Sequence, residues 1–99
     1  MAEHPLKTIQ EMDPELAKHL QDADALIYGS GALPKKLKLL IAMAFDAADG
    51  AEMGVRALAA AAKREGATKQ EIAETLRVAY HLSGVGCLYT ASAGLKDLP

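Results

Sequence analysis

The apolar half of this chain is built from small side chains, and that limits what it can fold into. Hydrophobic residues make up 51% of its 99 residues, yet aromatics are only 4% and tryptophan is absent. Twenty residues are alanine. Apolar burial stabilises a fold by roughly 25 cal/mol per Å², so each alanine contributes little. A chain of this length buries only about 60–65% of its unfolded surface. The two facts together predict a marginal monomer and a core shared between subunits.

The length fits a single domain. Charged residues are 24%, and the net charge is −2 with a pI near 5.9. That balance excludes a disordered tail. It gives no electrostatic reason to expect nucleic acid or an anionic membrane as a partner. The one cysteine, Cys87, rules out an intrachain disulfide, a Cys-x-x-Cys motif and a cysteine-based zinc site. No metal or other cofactor is expected. The N-terminus lacks the basic and apolar regions of a signal peptide. The longest apolar run, Leu39 to Phe45, is seven residues, against about twenty needed to span a bilayer. A soluble, cytoplasmic protein is expected.

Helical periodicity runs through most of the chain, and no stretch alternates with period two. Residues 1–12 read as a loosely held arm and 13–98 as the domain. Asp13-Pro14 opens a first helix with Leu16, Leu20, Ala23 and Ile27 on one face, and Gly29-Ser30-Gly31 ends it. Pro34 opens a second, whose run from Leu39 to Phe45 has no polar side and predicts burial nearly all round. Asp49 and Glu52 read as a capping box for a third, which stops at Gly66. Thr68 and Glu71 form a second capping box. Ser83-Gly84 interrupts the chain before a last helix. There Val85, Leu88, Tyr89, Ser92 and Leu95 form one face, and Cys87, Ala91 and Gly94 form a small-residue stripe suited to close helix contact. The fold class is all-α, with short connections.

Few groups carry chemistry. Cys87 lies in the first turn of the last helix, where the dipole favours a thiolate. His81 is six residues upstream, and the pair reads either as nucleophile and base or as a packing residue and a surface histidine. Asp46, Asp49 and Glu52 read as an acid/base or cation cluster, or as caps and solvated carboxylates. Asp46 is the one that capping leaves unexplained. Arg56 and Arg77 read as anchors for an acidic substrate or as ion-pair partners. His4 and His19 read as exposed, and Gly84-Val85-Gly86 is too short for a phosphate loop.

Three local patterns line up: Leu33-Pro34-Lys35-Lys36-Leu37-Lys38-Leu39-Leu40-Ile41-Ala42, then Gly66-Ala67-Thr68-Lys69-Gln70-Glu71-Ile72-Ala73-Glu74, then Gly84-Val85-Gly86 before a final helix. From Asp13 to Leu95 the chain resembles the carboxymuconolactone decarboxylase family, which includes the AhpD-like alkylhydroperoxidases. The resemblance implies a helical bundle of about five to six helices, assembled as a homo-oligomer, a trimer or hexamer, with active sites near subunit contacts. It also implies one of two activities. One is peroxidase-type (peroxiredoxin-like) oxidoreduction by a Cys-x-x-Cys pair with a His and an upstream Glu; the other is decarboxylation of a carboxylated lactone. By spacing from Gly66, the two cysteine positions fall on Ala51 and Gly54, the His on Leu58 and the Glu on Leu39. The lactone branch commonly carries the same His.

Three functional readings follow. The first is an enzyme with a relocated site built from Cys87, His81 and Asp46. The second is a non-catalytic oligomeric binding or scaffold member. The third is chemistry on a small carboxylated metabolite anchored by Arg56 or Arg77.

Overall fold

The computed structural model describes residues 6–99. Six helices form among the described residues: α1 (Lys7–Met12), α2 (Pro14–Tyr28), α3 (Lys35–Ala48), α4 (Glu52–Arg64), α5 (Lys69–Ser83) and α6 (Gly86–Leu95), the last five being those expected. No strand occurs among the described residues. Residues 7–12, read as part of an arm, are a short helix packed against α2. The rest of that arm, with His4, lies outside the described residues.

The helix ends show which local signals won. Asp13 accepts a hydrogen bond from the Leu16 amide (3.1 Å) and Pro14 takes the first helical position, as expected. The Thr68/Glu71 box is complete: Glu71 N donates to Thr68 Oγ1 (3.0 Å), and Thr68 N donates to Glu71 Oε1 (2.9 Å). The Asp49/Glu52 box does not form. Asp49 keeps helical geometry and its amide donates to the Phe45 carbonyl, so it ends α3 instead of starting α4. Gly50 then turns at φ +82°, and the Ala51 amide reaches back to the Asp46 carbonyl at 2.9 Å. Gly66 ends α4 in the same way, with Ala67 N donating to Ala62 O. A left-handed glycine releases the two closing bonds, and a β-carbon there would be strained.

The core lies among α3, α4, α5 and α6, with α4 packed against α3 on one side and α6 on another. Met43 and Val55 are fully enclosed. Of the thirteen buried apolar residues described, six are alanine, so the interior is thin. In α6 the small stripe Cys87, Ala91 and Gly94 faces inward, while Val85, Leu88 and Tyr89 stay exposed. The reason is at Gly94. A β-carbon there would sit 2.6 Å from the Glu52 carbonyl oxygen and 3.0 Å from Val55 Cβ. Only a stripe without bulk lets α6 lie this close to α4.

The expectation of all-round burial for α3 is not met in the single chain. Leu39, Leu40, Met43 and Ala47 face the core, whereas Leu37, Ile41 and Phe45 form an exposed ridge, with Phe45 67% accessible. Phe45 borders an apolar recess of about 240 Å³ completed by Ala48, Val78 and Leu82. The stripe Leu16, Leu20 and Ile27 on α2 is likewise open, and α2 buries no residue. The accessible surface is 7058 Å², against about 5,400 Å² for a monomer of this mass.

The capping box also carries a pH signature. The Glu71 carboxyl is held below the usual carboxylate range, first by its hydrogen bond from Lys36 (2.9 Å) and then by the Thr68 amide. A depressed carboxyl contributes stability above its unfolded value, about pH 4.3, and that contribution is lost as pH falls through the folded value. Thermal melts from pH 6 downward are expected to show a smaller acid-side loss in Glu71→Gln than in wild type. Thr68→Ala is expected to destabilise by about 1 kcal/mol at neutral pH.

Candidate functional site

Cys87 is 2% accessible, packed in the small stripe between α6 and its neighbours. His81 is on α5 two residues after buried Ala79, about 200° round the helix, and is exposed. Burial of one and outward placement of the other leave no shared cavity for a thiol–imidazole pair. Arg56 is engaged by the backbone: its guanidinium Nη1 donates to the carbonyls of Gly94 (3.2 Å) and Lys96 (2.5 Å). These are the free carbonyls at the end of α6, so Arg56 clamps α6 onto α4. Arg77 is exposed on α5, and His19 is exposed on α2. No group of three or more His, Cys, Asp or Glu side chains among the described residues is arranged to hold a metal ion.

Asp46 is the exception. It stands in the last turns of α3, half-buried, and its carboxylate lies over the α-carbon of Gly54 on α4. A β-carbon on Gly54 would collide with the carboxylate, coming within 2.8 Å of Asp46 Cγ. The side chain thus occupies the volume that any residue larger than glycine at 54 would need. Gly54 is one of the two positions on which the resemblance places a redox cysteine.

Tyr28 is a part of this neighbourhood that sequence reading missed. It ends α2 and packs half-buried against the core. Burial pushes its phenol above the ordinary value, and the charges of Asp24 and Asp46 push it further in the same direction. Tyr28, Asp24, Lys35 and Leu39 line an open recess of about 420 Å³ between α2, α3 and α4. Leu39 there is the residue on the expected Glu position. Tyr28 is near Asp46 only because α2 folds back beside α3, a long-range placement with no local signal. The carboxylates and phenol can donate, accept or exchange protons and can receive a hydrogen-bonding ligand. They supply no thiol.

The six helices among the described residues form an all-helical bundle. The chain matches the family model for the Carboxymuconolactone decarboxylase family over residues 14–97, and it belongs to that family. Its structure is similar to the crystal structure of apo-lpg0406, a carboxymuconolactone decarboxylase family protein from Legionella pneumophila. The TM-score is 0.85 at 30% identity, covering 92% of this chain and 81% of that one. No curated protein gives a significant match. No helix among the described residues is long and apolar enough to cross a membrane.

Removing the Asp46 charge is expected to lower the Tyr28 pKa while leaving it above that of an exposed tyrosine, because the burial contribution stays. Site-resolved NMR titration of Tyr28, Tyr80 and Tyr89 in wild type and Asp46→Asn checks this. An unmoved Tyr28 would show that the two groups do not sense each other.

Proposed function

We propose that this chain is a thiol-independent, homo-oligomeric member of its family, and that the recess lined by Tyr28, Asp24 and Lys35 receives a small molecule. The observation that carries the reading is the Asp46 carboxylate seated over Gly54, where the peroxidase branch of the family would carry a thiol. Two-cysteine peroxide reduction needs one thiolate to attack the O–O bond and a second thiol to resolve the sulfenic acid. The chain has one thiol, and it is enclosed.

Assembly is supported by the distribution of bulk. Among the described residues seventeen large apolar side chains are exposed, while the buried set contains only six of comparable size. The surface in excess of a compact monomer is about 1,700 Å², the scale of a standard protein interface. The open ridges on α2, α3 and α6 supply it.

A second reading is acid–base catalysis on a small carboxylated lactone. It is favoured by one observation: the Asp46 charge acts on the Tyr28 phenol, and Tyr28 lines the recess together with Lys35. Asp46 would exchange the proton, and Tyr28 would hydrogen-bond the ligand.

The readings separate by experiment. Sedimentation velocity at micromolar concentration is expected to give a species larger than 10.4 kDa, and a stable monomer would remove the assembly. A thiol reagent is expected to leave native Cys87 unmodified and to label it after denaturation. Peroxide consumption, with a dithiol as reductant, is expected to match the buffer rate and to be the same in Cys87→Ser; consumption abolished by that substitution would restore the thiol route. Turnover of carboxylated lactones lost in Asp46→Asn, with the assembly intact, would select the catalytic reading over simple binding.

A further inference from the structure

A second recess lies away from Asp46, on another face of α4. It is bounded by the last turn of α4, the first turn of α5 and the chain at and beyond the end of α6. Its volume is about 320 Å³, at the lower end of the range for small-molecule sites, about 300–1,000 Å³. Its lining is mostly apolar, from Ile72, Ala73, Leu76, Leu95 and Leu98, and is completed by Lys63 and Lys69. A shallower recess of about 280 Å³ shares Lys63 and Leu98 and adds Arg64.

The cations are the unexplained part. Lys35 pairs with Glu65 (3.7 Å), Lys36 with Glu71 (2.9 Å), and Lys38 donates to the Gly29 carbonyl (2.8 Å). Among the described residues, Lys63 and Lys69 make no hydrogen bond or ion pair through their side chains. Lys69 is the first residue of α5, where a cation opposes the helix dipole. The same placement at Lys36 is offset by an ion pair with Glu71; Lys69 makes no such pair among the described residues. The overall charge is −2, so this positive charge is local and is not the tail of a basic protein.

We propose that this recess binds a small amphipathic anion: a carboxylate held between Lys63 and Lys69, with an apolar tail on Ile72, Leu76, Leu95 and Leu98. Both halves of that description are needed. A simple inorganic anion would leave the apolar lining uncovered, and a neutral hydrocarbon would leave two lysines unanswered. Charge-assisted hydrogen bonds from two ammonium groups fix the head, and each methylene removed from water adds to affinity. An anionic bilayer fits less well, because surface recognition of that kind uses clusters of about 4–8 basic residues. This site stands apart from the Tyr28 recess and does not depend on the reading given to it.

Octanoate is a suitable probe, followed by amide NMR on the full chain, with octan-1-ol and acetate as the two half-ligands. Saturable shifts are expected at Lys63, Ala73, Leu95 and Leu98. Both half-ligands are expected to bind at least about tenfold more weakly. The double variant Lys63→Gln/Lys69→Gln is expected to weaken octanoate at least about tenfold while leaving the melting temperature and octan-1-ol binding unchanged. Shifts that never saturate, that map elsewhere, or that are equal for octan-1-ol would overturn the site. So would co-sedimentation with phosphatidylglycerol-containing vesicles that the double variant abolishes, since the lysines would then serve a lipid surface.

Discussion

The contact on which the rest of the bundle depends is the near-backbone approach of α6 to α4 at Gly94. The Glu52 carbonyl and Val55 occupy the space a side chain at 94 would require. With no side chain there, Ala91 and Cys87 follow along the same line, and α6 packs on Val55, one of the two largest fully enclosed side chains among the described residues. Arg56 secures the arrangement by reaching across to the Gly94 and Lys96 carbonyls. That converts an unsatisfied helix end into a tie between elements. A guanidinium that sequence reading offers to a substrate is therefore held by the protein's own backbone. Its five donors are suited to either task, and only the fold decides between them.

That close packing has a consequence for the opposite side of α6. A helix that turns its smallest residues inward must turn its largest outward, which is why Val85, Leu88 and Tyr89 are exposed. The same inversion appears on α3, where Phe45 and Ile41 lie outside while Ala47 lies inside. Hydrophobic periodicity correctly marks these residues as apolar faces, yet it cannot say whether the face is covered by the same chain or by another. In this alanine-rich chain much of the bulky apolar surface lies on the outside of the single chain.

The legible parts of the sequence were those set by local chemistry. Thr68 with Glu71, Asp13 with Pro14, and the turns at Gly66 and Gly84 need only their neighbours to act, and all appear where their residue types place them. Asp49 and Glu52 have the spacing of a cap and fail. Gly50 one residue later makes a left-handed stop for α3, and an amide used there is not available to begin α4. Where a helix stop and a helix start compete for the same residues, spacing alone does not rank them. At the candidate site Asp46 was visible as a carboxylate without a capping role. Tyr28 was not visible, because its relation to Asp46 arises from the return of α2 alongside α3.

Gly54 joins the composition of the chain to its chemistry. The Asp46 carboxylate rests on the α-carbon of residue 54, in space that a cysteine there would fill with its β-carbon and sulfur. The absence of a thiol at 54 and the presence of a carboxylate above it are one steric fact. Restoring a cysteine would require the Asp46 carboxylate to turn away from α4. The small-residue composition that thins the core and leaves bulky apolar faces exposed is also what admits a carboxylate over α4. A chain with a larger residue at 54 would have neither the close packing of Asp46 on α4 nor the carboxylate in that position.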